Sequence, residues 1–157
     1  MFRAVGFYDW MLALHVLAAF AMGAGLVFYT VLVVTGLRAT TLDDARTLFR
    51  VSPIGGPVIG AGSLLALVLG IVLAIDSDDY QVWDPWVIAA IVLWAVIGFL
   101  GQRSGAHYIA IQKLADEGGE EAEVIRRLHE PKGRLLQFSA VALFLVLLLD
   151  MVFKPGA

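Results

Sequence analysis

Three kinds of side chain in this sequence could do chemistry inside an apolar environment: imidazole, carboxylate and thioether. His15 lies within a long apolar run, five residues after Trp10. Met11 precedes it by four residues, so a helical run puts both on one face. Met22 follows His15 by seven and returns to the same side. Asp150 and Met151 are neighbours near the other end of the chain, just before Lys154. Thioether with imidazole suits copper, and His or Met axial ligation suits haem iron. The same residues have a purely structural reading. Methionine is a common apolar filler, a lone histidine can bond Asp150 or a backbone carbonyl, and Asp150 can simply reach water at an interface. The residues alone leave both readings open.

The surroundings of these groups narrow the class of protein. The chain has 157 residues, 60% of them hydrophobic and 16% charged, with net charge −3 and no cysteine. A soluble domain carries roughly a quarter charged residues, and the mean hydropathy here is +0.84. Disorder and disulfide frameworks are excluded by composition. Nucleic acid is excluded as a partner by the slight acidity and the lack of any basic run longer than two residues. An integral membrane protein remains, with the lipid bilayer as its first partner.

A membrane-crossing helix needs about 20 mostly apolar residues. Four stretches qualify: about 10–37, 54–75, 85–101 and 135–153. The first is too long for a cleaved signal peptide and is expected to be a true span. The expected fold is all-α, a single four-helix transmembrane bundle over 1–157. Arg38, Arg46, Arg50, Arg103, Lys113, Arg126, Arg127, Lys132 and Arg134 lie between spans one and two or three and four, so nine of eleven basic residues share one side. The other side holds Arg3, Lys154 and the acids Asp76, Asp78, Asp79 and Asp84. The positive-inside rule then predicts a bacterial inner-membrane protein with both termini outside. Tyr8, Trp10, Tyr80, Trp83 and Trp86 would form its outer aromatic belt.

Between the spans the sequence predicts further helix. Nothing breaks the third span until Gly118-Gly119, so it is expected to run on to 117 and project into the cytoplasm. A short amphipathic helix follows at 120–130, with Val124, Ile125 and Leu128 on one face; Pro131 and Gly133 should break it from span four. Together these make a cytoplasmic helical hairpin over 102–134. Thr41 reads as the N-cap of another short helix over 40–50. Small residues recur in the spans: Gly23 and Gly25, then Gly56, Gly60 and Gly62, then Gly98, Gly101 and Gly105. They suit close helix packing within the bundle, or an interface with further copies or a membrane partner subunit.

Depth arithmetic constrains any metal or haem site. His15 should lie roughly 7–8 Å below the outer interface, and Asp150 at a matching depth. His107, 21 residues after Trp86, falls at the inner surface, and His129 in the cytoplasmic loop. About 20 Å of depth separates His15 from His107, so the two cannot share one ion within a subunit. A bis-histidine haem would need a second His15 from another copy. No HExxH, GxSxG or phosphate-binding glycine loop is present, and no catalytic residue is assigned.

Tyr8-Asp9-Trp10-Met11-Leu12-Ala13-Leu14-His15-Val16, followed by Gly23-Ala24-Gly25-Leu26-Val27-Phe28-Tyr29, resembles the opening of a group of small bacterial membrane proteins. The group takes in the DUF2269 family, the CopD copper-resistance domain and the HemJ-type protoporphyrinogen oxidases. The shared features are the Leu14-His15 pair and Gly25. Length, four spans and the ending Gly70-Ile71-Val72-Leu73 of span two look most like DUF2269. The HemJ resemblance implies haem b binding at His15, and the CopD resemblance implies copper. Met22 stands where the HemJ pattern has tryptophan, and Thr30 to Val33 replace its Pro-Arg pair, which argues against porphyrinogen oxidation. Three expectations follow: a haem or metal site at His15 with Met11, Met22, Met151 or Asp150; a non-enzymatic oligomeric scaffold; and, third, an oligomeric pore or transporter.

Overall fold

The protein is described by a computed structural model over residues 6–77 and 81–156. Arg3, Asp78, Asp79 and Tyr80, which the charge and aromatic-belt arguments used, lie outside the described residues. Among the described residues six α-helices follow one another: α1 Phe7–Gly36, α2 Leu42–Val51, α3 Gly55–Asp76, α4 Pro85–Asp116, α5 Glu121–Leu128 and α6 Pro131–Phe153. Four helical stretches, containing α1, α3, α4 and α6, are long and apolar enough to cross a membrane. Large apolar side chains cover their outer surface: Phe20, Val152 and Phe153 are 72%, 73% and 74% exposed. Water would not tolerate so much uncovered apolar surface on a folded monomer, whereas lipid does. The chain is a multi-pass membrane protein.

The four long helices form two antiparallel hairpins. α1 packs along α3, and α4 along α6; the hairpins meet chiefly where α1 touches α6. In lipid, apolar burial adds little to helix association, so close approach of backbones matters more. Glycine provides it. A Cβ on Gly62 would lie 2.8 Å from the Met22 nitrogen and 2.9 Å from the Ala18 oxygen, so the α1 and α3 backbones touch. Gly25 accommodates Ile59, Gly55 accommodates Phe28 and Tyr29, and Gly23 lies against Phe144 of α6. A Cβ on Gly60, Gly98, Gly101 or Gly105 would meet nothing within 4 Å among the described residues, beyond its chain neighbours and nearby helix backbone. Gly56 is exposed and meets only the Tyr29 hydroxyl, at 3.5 Å. Of the five glycines expected at packing or oligomer interfaces, Gly23, Gly25 and Gly62 are therefore spent inside the chain.

One end of the bundle carries α2 and α5. Thr41 caps α2 by accepting from the Asp44 amide at 3.2 Å, and Asp44 returns the bond to the Thr40 and Thr41 amides. Those bonds to Thr40 and Thr41 hold the Asp44 carboxyl below its ordinary range. Ala45 and Phe49 of α2 pack with Ile111 and Ala115 of α4 and with Val124 and Leu128 of α5. α4 continues unbroken to Asp116, and Gly118, at φ 83, turns the chain in a conformation open to glycine. One boundary differs from expectation. Pro131 begins α6 at a position where its missing N–H costs nothing, and Gly133 lies inside that helix against His107 and Tyr108. Neither residue separates α5 from the last span by more than a turn.

Two outcomes follow. Gly62→Leu is expected to force α1 and α3 apart, at more than the ~1–3 kcal/mol of ordinary overpacking, while Gly60→Leu leaves the monomer's unfolding unchanged. Thermal unfolding in detergent checks the contrast, and equal behaviour of the two variants would refute it. The second concerns α5. Glu123 bonds both Arg126 and Arg127, which pulls its carboxyl from an ordinary 4.5 to about 2. A depressed carboxylate favours the fold above its ordinary value and loses that effect as pH falls through the window down to about 2. Amide exchange across α5 should accelerate in that window, and Glu123→Gln should abolish the pH step.

Candidate functional site

The site is built from the α1–α3 pair upward. Their register sets Ala18 and Met22 against Gly62, Gly25 against Ile59, and His15 against Ala66 and Gly70. His15 Nδ1 lies 2.8 Å from the Ala66 carbonyl oxygen. A carbonyl can only accept, so Nδ1 carries the proton and the neutral ring keeps its lone pair on Nε2. No bond to Nε2 is seen among the described residues. Gly70 leaves space for the ring, since a Cβ there would come 3.0 Å from Cε1. The imidazole is thus fixed in tautomer and orientation with one donor nitrogen available. Ligating histidines are held in this way, by a carbonyl on the nitrogen remote from the ion.

The α1–α6 register places the remaining candidates. Gly23 faces Phe144, and Leu26 and Thr30 face Gln137. Two turns beyond Phe144, Met151 comes level with His15. It lies about 40° round α6 from Gln137, hence on the inward side, packed against Ala74, Trp86 and Val87. Met11 lies one turn from His15 on the same flank of α1, half-buried. Asp150 is level with His15 too, but lies about 220° round α6 from Gln137 and so faces away from α1. One of its carboxylate oxygens is buried without a partner. Met22 lies two turns deeper, 3% exposed, in the core with Leu26, Ala140, Phe144 and Leu147. By this register Met151 stands level with His15 and Met11 one turn away, while Met22 lies two turns deeper and Asp150, at the level of His15, points to another side of α6. His107 sits near the opposite end, against Gly133.

Among the described residues no three His, Asp or Glu side chains gather as a metal cluster. A groove of about 420 Å³ flanks α1 and α3, lined by Leu14, Leu17, Ala21, Val58, Leu65 and Leu69 among others. His15 does not line it, so it is no haem pocket for that ring.

Sequence reasoning missed the uncharged polar residues that tie the helices together. Trp94 Nε1 donates to Ser63 Oγ at 2.8 Å, joining α4 to α3. Gln137, 4% exposed, donates to the Leu26 carbonyl and to Thr30 Oγ1 at 3.2 and 3.1 Å, joining α6 to α1. The signal was present: Gln137 is an amide two residues into the apolar run of span four. No family model, no curated protein and no solved structure matches this chain.

Gln137→Leu is expected to lower stability by about 0.6–1.7 kcal/mol, the range of interhelical hydrogen bonds in a bilayer. A double-mutant cycle with Thr30→Val, read by denaturant unfolding, should show coupling between them; strict additivity would remove Gln137 from the tie between the hairpins.

Proposed function

We propose that this membrane protein binds a soft metal ion, copper in its monovalent state, in the half of the bundle remote from α2. His15 Nε2 is the anchoring donor, with the thioethers of Met11 and Met151 beside it. One observation carries the reading: the Ala66 carbonyl holds the His15 ring by Nδ1 and leaves Nε2 free. Imidazole with thioethers and no carboxylate is a donor set that selects copper over harder ions. The depth of the site, and the inward placement of Met151 on α6, agree with this. Bound there, a copper ion would supply one-electron chemistry or be held as cargo. The chain's own contribution is to fix the ring, exclude hard ligands and surround the site with lipid-facing helices. Haem b, ligated through the same nitrogen, is the alternative cofactor. The resemblance of the Leu14-His15 helix to the CopD copper-resistance domain supports the copper reading. The charge distribution supports a bacterial inner-membrane location, with α2, the end of α4 and α5 in the cytoplasm and the metal site toward the outside.

A second reading rests on a different observation. Gly60, Gly98 and Gly101 have open space where a Cβ would stand, and bare glycine backbone in lipid is what a further helix packs against. On that reading the protein is a non-enzymatic assembly subunit.

The deciding experiment measures metal content and visible absorption of the detergent-purified chain, with monovalent copper titrated against a chromophoric competitor. About one copper per chain is expected. His15→Ala should abolish it, and Met151→Leu should weaken it about tenfold, within the range seen when metal surroundings are altered. A Soret band lost in His15→Ala would assign haem instead. Colourless protein that takes up neither would overturn the cofactor reading and leave assembly.

A further inference from the structure

A second site stands at the other end of the bundle. Arg46, Phe49 and Arg50 of α2 and Gln112 and Asp116 of α4 line a cavity of about 210 Å³. Arg46 and Arg50 are four residues apart, so both guanidinium groups leave α2 on one face. The adjoining face, about 100° round the helix, is anchored, since Ala45 and Phe49 are buried against α4 and α5. Arg46 Nη2 donates to the Ala115 carbonyl at 3.3 Å, which fixes part of that side chain. Neither arginine forms an ion pair with any described carboxylate. Asp116 lines the same cavity without pairing to either, so two positive charges face one negative. The neighbouring acids of α5 and its C-terminal turn do not line the cavity: Glu121 accepts from the Leu42 amide, Glu123 is held by Arg126 and Arg127, and Glu130 by Arg126.

The position of the cavity says what would fill it. Arg50 stands four residues before Ile54, which is 66% exposed and begins the apolar run of α3. The 3₁₀ turn Ser52–Ile54 is all that separates the basic helix from the bilayer-crossing one. α2 therefore lies at the depth where phospholipid headgroups end and acyl chains begin. Basic side chains at this depth, on an amphipathic helix joined to a span, meet phosphate oxygens first. Guanidinium groups suit that partner, since their planar N–H forks match phosphate geometry.

We infer that this cavity binds the phosphate of an anionic phospholipid in the leaflet facing α2, held between Arg46 and Arg50 with Gln112 as a neutral donor. The lipid thereby fastens α2 to the end of α4. The inference is independent of any metal at His15.

The test uses the full chain, delipidated in detergent, with phosphatidylglycerol or phosphatidylcholine added. Retained lipid is counted by native mass spectrometry, and thermal unfolding is followed in parallel. Phosphatidylglycerol should be retained and should raise the unfolding temperature; phosphatidylcholine should do neither. Arg46→Gln with Arg50→Gln should weaken retention roughly thirtyfold, given the worth of each basic residue at an anionic surface. Since Arg46 also holds Ala115, the single change Arg50→Gln, which breaks no described protein contact, gives the same answer at about fivefold. Arg38→Gln, outside the cavity, should leave retention unchanged. The inference falls if both lipids bind alike, if Arg50→Gln changes nothing, or if Arg38→Gln weakens binding as much. It falls too if millimolar inorganic phosphate protects as well as the lipid, which would mark a site for free anions.

Discussion

The contact between the backbones of α1 and α3 is the constraint on which the rest of this molecule depends. At Gly62 there is no room for even a Cβ beside the Met22 amide and the Ala18 carbonyl. That closeness fixes the register of the two helices, and the register in turn brings Ala66 and Gly70 opposite His15. In water, apolar burial could hold two helices together over a range of registers. In lipid the driving force comes from fit, and fit has one solution where glycine meets backbone. The orientation of the His15 ring is thus a consequence of a packing event three to four residues away along each helix.

The second hairpin is attached differently. α4 and α6 pack along their length, but their junction with α1 and α3 depends on a few polar side chains. Trp94 reaches Ser63, and Gln137 reaches Leu26 and Thr30. A polar group among acyl chains must find a partner, so each of these side chains selects one arrangement of the hairpins over its alternatives. The Gln137 bond sets the α1–α6 register that carries Met151 to the level of His15. The polar residues and the proposed donor residues are therefore linked through geometry without touching.

The two ends of the molecule are built on opposite electrostatic principles. Around His15 the groups are neutral and polarisable, with the nearby carboxylate, Asp150, turned to another face. At α2 and α5 the groups are charged: Asp44 closes the N-terminal cap, and Glu123 and Glu130 hold Arg126 and Arg127. Arg46 and Arg50 form no ion pair with a described carboxylate. On the readings proposed above, soft donors within the membrane and cationic side chains at its edge would sort two kinds of ligand to two places.

The class of protein and its helices were legible in the sequence because they depend on local quantities. Apolar run length marks a span, Thr41 with Asp44 marks a cap, and Gly118 marks a stop; each acts within a few residues. His15, Met11 and Met151 stood out for the same reason, as donors in a background of aliphatic residues. α5 does end before Pro131, as expected, but that proline also opens α6 and Gly133 lies inside it rather than in a break, because proline both ends one helix and suits the first turn of the next. What the sequence could not settle is which of two glycines faces another helix. Gly60 and Gly62 are two residues apart, yet one is open to lipid and the other touches backbone. Likewise Asp150 and Met151 are neighbours, yet a 100° step round the helix turns the acid away and the thioether inward. Those outcomes belong to the register between helices, a long-range property fixed by the whole set of contacts and by no segment alone.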